Sequence, residues 1–218
     1  MILVCGHNTV STRSRNGLSL SPNIPLNTGG WSSHIPLRAS NEPTKVIIIL
    51  GRKGVGKSIV LEDLTSAQGH ACDVRGPGTT AFQLEESIIN GEKYFFMDTP
   101  GFDAGDEVEA FFETARGIEA IRHHATIVGV LFAASVNYSR VENLDRKLLE
   151  FLELFCGDEY IPRITFVTTH WTHPDAAQSN RFAHLRSLWC SFLARGAGLY
   201  QHGRKYNDQH EDTGICLP

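Results

Sequence analysis

The stretch Gly51-Arg52-Lys53-Gly54-Val55-Gly56-Lys57-Ser58 matches the spacing G-x-x-x-x-G-K-[ST], and that spacing leaves little choice of surroundings. Its glycines let the backbone curl until successive N–H groups point at phosphate oxygens. The lysine then reaches the β- and γ-phosphates, and the serine hydroxyl takes Mg²⁺. Such a loop works only between a strand and a helix. Upstream, Lys45-Val46-Ile47-Ile48-Ile49-Leu50 is the β-branched run of a strand buried on both faces. Downstream, residues 59–64 carry apolar side chains at helical spacing. Strand, loop and helix follow in the required order, which argues against an ordinary glycine-rich turn. Gly51, Arg52, Lys53, Gly54, Val55, Gly56, Lys57, Ser58 and the adjoining Ile59 are therefore read as contacts to a nucleotide's phosphates.

Composition excludes several other classes. A length of 218 residues, 41% hydrophobic and 20% charged, suits one α/β domain with extensions. A net charge of −4 without a basic run gives no footprint for nucleic acid. Cysteines 5, 72, 156, 190 and 216 form no C-x-x-C pair and read as thiols of a reducing compartment, hence a cytoplasmic protein. The longest apolar stretch, 125–136, falls well short of the roughly twenty residues of a membrane span. Met1-Ile2-Leu3-Val4-Cys5 lacks the basic start of a signal peptide.

Residues 1–43 are rich in Ser, Asn, Pro, Gly and Thr and carry neither helical nor strand periodicity. They read as a disordered extension or a docking arm, with Trp31 and Ile35 the candidates for anchoring it. The domain proper covers 44–206, and 207–218 is a short polar tail. Residues 84–89 and 94–97, on either side of Asn90-Gly91, predict an antiparallel hairpin whose loop extends to Lys93. Three helices follow. Asp106 and Glu109 form a capping box for the first, whose buried stripe is Val108, Phe111, Phe112, Ala115, Ile118 and Ile121. The second starts at Ser139 with Glu142, buries Leu144, Leu148, Phe151, Leu152 and Phe155, and stops at Gly157. The third spans about 176–195 and buries Phe182, Leu185, Trp189, Phe192 and Leu193. Apolar strands at 125–134 and 163–169 lie between them. Alternating strands and helices predict an α/β, three-layer fold: a mainly parallel central sheet with one antiparallel strand and helices on both faces.

A second phosphate box ends the strand at 94–97. Asp98-Thr99-Pro100-Gly101 puts a carboxylate at the C-terminal edge of the sheet, where open α/β folds bind ligands. Asp98 would hold Mg²⁺ through a water molecule. The N–H of Gly101 would meet the γ-phosphate, which only a residue without a Cβ approaches so closely. Asp-x-x-Gly about forty residues beyond the loop lysine is the spacing found in GTPases. Ser58 and Asp98 need a third metal partner, a threonine from the intervening loop whose N–H also meets the γ-phosphate. Thr79 and Thr80 both qualify, and Thr80 is preferred, with Lys57, Thr80 and Lys53 as candidates for transition-state contacts. The loop glycines 76 and 78, with Gly101 and Gly105, would let these segments rearrange when the γ-phosphate leaves.

With both boxes placed, the chain resembles the septin-like, or paraseptin, branch of P-loop GTPases: septins, chloroplast Toc receptors and immunity-associated nucleotide-binding proteins. Fungal "G domain-containing" P-loop NTPase proteins are the most similar of these. The resemblance rests on residues 51–58, 98–103, 155–158 and 164–171, continues weakly through 192–197 to Arg204, and covers about 44–206. It implies a P-loop G domain binding GTP or GDP with Mg²⁺, slow hydrolysis, a homodimer across the nucleotide face and a protein effector. It also implies that Thr169 and His170 serve the base, with the histidine packed on the guanine face. The family's acidic base reader falls on Thr172, which has no carboxylate; Asp175 is the candidate substitute, or the site tolerates adenine. His170, His173 and Asp175 lie too close together, with no fourth ligand in a recognisable place, to argue for a metal site. Phe102 stands where many GTPases carry a water-orienting glutamine, which predicts slow turnover. Lys53 or Arg52 would supply positive charge in cis to the transition state, or both extend into solvent. The rival reading is a scaffold whose nucleotide is structural or whose site is vestigial. An ATPase or small-molecule kinase is less favoured, because no acidic residue adjoins Asp98 and no arginine-rich lid is evident.

Overall fold

The computed structural model describes residues 44–65, 79–103, 107–137, 143–171, 176–206 and 212–215. Its frame is a six-stranded sheet in the order β2-β3-β1-β4-β5-β6. The strands are β1 (Thr44–Gly51), β2 (Gln83–Ile89), β3 (Glu92–Asp98), β4 (Ala125–Ser135), β5 (Ile164–Thr169) and β6 (Gly198–Gln201). Only β2 and β3 pair antiparallel; β3, β1, β4, β5 and β6 run parallel. The expected α/β fold is the one observed. β1 lies centrally because nearly every side chain of its apolar run can be buried. Val46, Ile48 and Leu50 enter one core, and Ile47 and Ile49 enter the other.

Helix α1 (Lys57–Thr65) packs Val60 and Leu61 on the Ile47/Ile49 face. The opposite face carries α2 (Glu107–Ile121), α3 (Asn143–Cys156), α4 (Ala176–Leu188) and α5 (Cys190–Ala194). β7 (Arg204–Tyr206) and β8 (Asp212–Ile215) form a separate two-stranded ribbon.

Several local expectations need correction. The hairpin loop has two residues, with Ile89 facing Glu92, so Lys93 is already in strand. Asn90 (φ 52°) and Gly91 (φ 80°) supply the two left-handed residues that a tight hairpin turn demands. In α2 the buried face is Ala110, Thr114, Gly117 and Ile121, whereas Val108, Phe111 and Phe112 are exposed. Small side chains let the helix approach the sheet closely: a Cβ on Gly117 would lie 3.1 Å from Met97 Sδ of β3 and 2.8 Å from the Phe82 ring. The displaced rings pack on one another instead, Phe111 edge-on to Phe151 at 5.2 Å, with Phe155 stacked on Phe151 at 5.3 Å. Phe155 is thus at the surface, and α3 buries Leu144, Leu148, Leu149 and Leu152. Gly157 ends α3 at φ 69°, its N–H donating to the Glu153 carbonyl at 3.0 Å. The single helix expected over 176–195 is two helices that break at Trp189. The bend sends Trp189 and Phe192 into the core around Phe166, with ring centroids 4.5 and 5.6 Å away. Asp106, Ser139 and Glu142, proposed as caps, lie outside the described residues.

Candidate nucleotide site

The site forms at the C-terminal ends of β1, β3 and β5. After β1 the chain turns through Gly54 (φ 75°) and Gly56 (φ 84°), left-handed positions that suit glycine, and enters α1 at Lys57. A Cβ on Gly51 would collide with the Ala133 carbonyl oxygen of β4. The loop is clamped to the segment following β3. Lys53 donates its backbone N–H to the Phe102 carbonyl at 2.9 Å, and Phe102 returns its own to Gly51 at 3.2 Å. Gly101 sits under this clamp, where a Cβ would stand 2.5 Å from Lys53 Cα and 2.9 Å from Lys57 Nζ.

Lys57 is 6% exposed, and its ammonium donates to the Arg52 carbonyl at 3.2 Å. Burial pushes its pKa down from the ordinary 10.5 to about 8, against the opposing pull of Asp98. Asp98 is fully buried, and its Oδ2 accepts from Ser58 Oγ and from Thr79 Oγ1, both at 3.1 Å. Thr99 fixes the turn by donating to the Ile49 carbonyl at 2.7 Å. Of the two candidate threonines, Thr79 reaches Asp98 and Thr80 is exposed beside it. Ser58, Thr79 and Asp98 form a convergent set of hard oxygen donors, the chemistry Mg²⁺ prefers.

Two basic side chains of the loop take different courses. Arg52 turns to α3 and pairs with Asp145 at 3.4 Å, both largely buried. Lys53 is exposed. Ile59, the last residue assigned to the loop, is 44% exposed on α1.

The base side is built from β5 and its exit. Thr169 Oγ1 donates to the Val55 carbonyl and lies 3.0 Å from His170 Nδ1, so the base-side turn is tied directly to the phosphate loop. His170 has φ 60°, rare for a side-chain-bearing residue. Its Cε1 lies 3.2 Å from where a Cβ on Gly56 would stand, so the missing side chain makes room for the ring. Burial first, and His202 second, hold its pKa below the ordinary value, which makes the imidazole neutral at pH 7. Trp171 Nε1 donates to Thr168 Oγ1 at 3.0 Å, and its ring meets Phe182 edge-on. Thr172, His173 and Asp175 lie outside the described residues.

Sequence reasoning missed four members of this neighbourhood: Asp145, Asn137, Gln178 and His202. Gln178 of α4 donates to the His170 carbonyl at 3.1 Å and to Asn137 Oδ1 at 2.8 Å. His202, beyond β6, pairs with Asp63 of α1 at 2.9 Å. Each is a contact across distant sequence that no local spacing reveals.

Lys57 carries a pH consequence. A phosphate dianion favours its charged form, so nucleotide binding above pH 8 must take up a proton. Calorimetry at pH 9 in buffers of different ionisation enthalpy is expected to show uptake of roughly one proton, with affinity falling as pH rises from about 8 to 10. Uptake near zero would contradict a buried, deprotonated Lys57 in the nucleotide-free protein.

A family model described as 50S ribosome-binding GTPase matches residues 46–169, from β1 through β5. The chain is 33% identical over 133 residues to a probable FAD-binding monooxygenase of Aspergillus luteorubrus, covering 57% of this chain and 27% of that protein. It is 31% identical over 132 residues to the probable GTP-binding protein EngB of Chlorobium phaeobacteroides, covering 58% of this chain and 63% of the relative. It thus spans less than two thirds of either curated relative's length. Among solved structures, Toc33 of Arabidopsis thaliana in complex with GDP and Mg²⁺ has the same fold, with TM-score 0.58 and 21% identity over 79% of this chain and 77% of that one.

Proposed function

The chain belongs to the 50S ribosome-binding GTPase family, and on that footing we propose that it is a Mg²⁺-dependent guanine-nucleotide switch with slow GTP hydrolysis. The observation that carries this reading is the clamp itself. A buried lysine, a buried aspartate with two hydroxyls on it, and a glycine pressed against the phosphate loop stand within one small volume. Ser58, Thr79 and Asp98 would hold Mg²⁺, which supplies positive charge against the phosphates. Lys57 would leave the Arg52 carbonyl for the β- and γ-phosphates. The Gly101 N–H would register the γ-phosphate, with Thr80, adjacent to Thr79, a candidate for the same oxygens. His170, uncharged, would pack on the base beside Thr169, and Asp175 remains the candidate for the guanine edge.

The septin-like assignment is supported by the Toc33 fold and by Thr169-His170 in the base box. A homodimer across the nucleotide face and a protein effector follow from that assignment. Free thiols at Cys156 and Cys190 suit a cytoplasmic setting. Among the described residues no helix is long and apolar enough to cross a membrane. The monooxygenase likeness does not lead us to flavin, because the loop reads Gly54-Val55-Gly56-Lys57-Ser58-Ile59 where a dinucleotide fingerprint needs a third glycine or alanine.

Slow turnover follows from Phe102, which is 3% exposed and can neither orient nor deprotonate water. Arg52 is engaged by Asp145, which leaves exposed Lys53 as the loop's candidate for charge in cis. Single-turnover hydrolysis of GTP by the full chain is expected at about 10⁻³ s⁻¹ or slower. A rate near 1 s⁻¹ would contradict the assignment of Phe102.

A further inference from the structure

The most deeply buried side chain of helix α4 is an amide, while its Leu185 and Leu188 are only partly buried against the core. Gln178 is 4% exposed, where an amphipathic helix would ordinarily place leucine or methionine. Burying an amide costs stability unless its donors are used. Here Nε2 donates both to Asn137 Oδ1 at 2.8 Å, just past β4, and to the His170 carbonyl at 3.1 Å. The residue it holds is in an unusual state, since His170 has φ 60° and persists there only if its surroundings fix it. Thr169 Oγ1 steadies the ring from one side, and Gln178 holds the backbone from the other. The ring is thereby kept against Gly56, where only the absence of a Cβ leaves room.

We infer that Gln178 is a positioning residue for base readout: by fastening the His170 backbone to α4 and Asn137, it sets the shelf on which the base lies. Its hydrogen bonds to Asn137 and the His170 carbonyl serve the base side of the site, so its removal loosens discrimination among bases and spares the grip on phosphate. This rests on the nucleotide reading above.

The test is calorimetry on the full chain with GDP, ADP and ribose 5′-diphosphate, a probe with the same phosphates and no base. Gln178→Met keeps the volume and removes the donors. It is expected to weaken GDP about tenfold, to narrow the GDP-to-ADP ratio and to leave ribose 5′-diphosphate within about twofold. In a His170→Ala background the same substitution is expected to add no further loss, because it acts only through that residue. Equal weakening of GDP and ribose 5′-diphosphate, or full additivity with His170→Ala, overturns the inference. Should Gln178→Met not fold, Asn137→Ala removes one of the amide's anchors at an exposed position and is expected to narrow the GDP-to-ADP ratio about threefold. An unchanged ratio there overturns it equally. Failure of the wild-type chain to bind GDP and ribose 5′-diphosphate alike would overturn the nucleotide reading and this inference with it. Base selectivity that survives Gln178→Met overturns this inference alone.

Discussion

Lys57→Met is expected to separate binding from stability. The affinity for Mg·GDP should fall about 10- to 150-fold, because a charged donor to phosphate is worth about 1.5–3 kcal/mol and methionine offers none. The nucleotide-free protein should lose no stability at pH 7, because the burial penalty on the ammonium outweighs its attraction to Asp98. The reason is the sign of the pKa change. Burial lowers the pKa of Lys57 to about 8 even with Asp98 beside it, so at neutral pH the folded chain carries a charge that its surroundings disfavour. Between pH 8 and the ordinary 10.5 the unfolded chain binds more protons, so wild-type stability rises across that window. The variant lacks the rise. Urea unfolding at pH 7 and pH 9.5, with calorimetric titration of GDP, reads both effects. A variant that loses more than about 1 kcal/mol at pH 7 would show that the ammonium props the loop, contrary to this account.

Gly101→Ala is expected to cost about 2–4 kcal/mol and to abolish any preference for triphosphate over diphosphate. The added Cβ would stand 2.5 Å from Lys53 Cα and 2.7 Å from Lys53 N. Both are backbone atoms tied down by the Lys53-to-Phe102 and Phe102-to-Gly51 hydrogen bonds, so the clamp has to open. Gly117 makes a useful contrast. Its added Cβ would meet a side chain, the Phe82 ring, which has more freedom to yield than backbone. Chemical denaturation, and the ratio of affinities for a non-hydrolysable GTP analogue and GDP, check the prediction. Wild-type stability with an unchanged ratio would mean that the segment after β3 does not sense the γ-phosphate.

The parts of this molecule that could be read in advance are those whose chemistry admits few residue types. A loop that must place N–H groups on phosphate needs glycines at set spacing, and the strand before it must be apolar on both faces, so Gly51–Ser58 and β1 were legible together. Asn90-Gly91 announced the hairpin for the same reason. α2 is ambiguous in sequence because it offers two helical stripes. Val108, Phe111 and Phe112 are the more hydrophobic, whereas Ala110, Thr114 and Gly117 allow the closer approach, and close packing decided between them. Thr79 and Thr80 are adjacent in sequence, and only the path of the loop separates the hydroxyl on Asp98 from the exposed one. Gln178 carries no signal at all in a linear reading: its meaning lies in the His170 and Asn137 atoms that it reaches across the fold.

On the proposed function, this site holds a guanine nucleotide through Mg²⁺ and the phosphate loop. Calorimetric titration of the full chain with GDP, GTP, ADP and ATP, each with and without Mg²⁺, decides this. Micromolar binding of GDP and GTP is expected, tightened by Mg²⁺, with ADP and ATP weaker by about tenfold or more. Equal binding of adenine nucleotides would contradict the assignment of the base side. No binding of any of the four by the folded chain would contradict the switch and leave a G-domain scaffold.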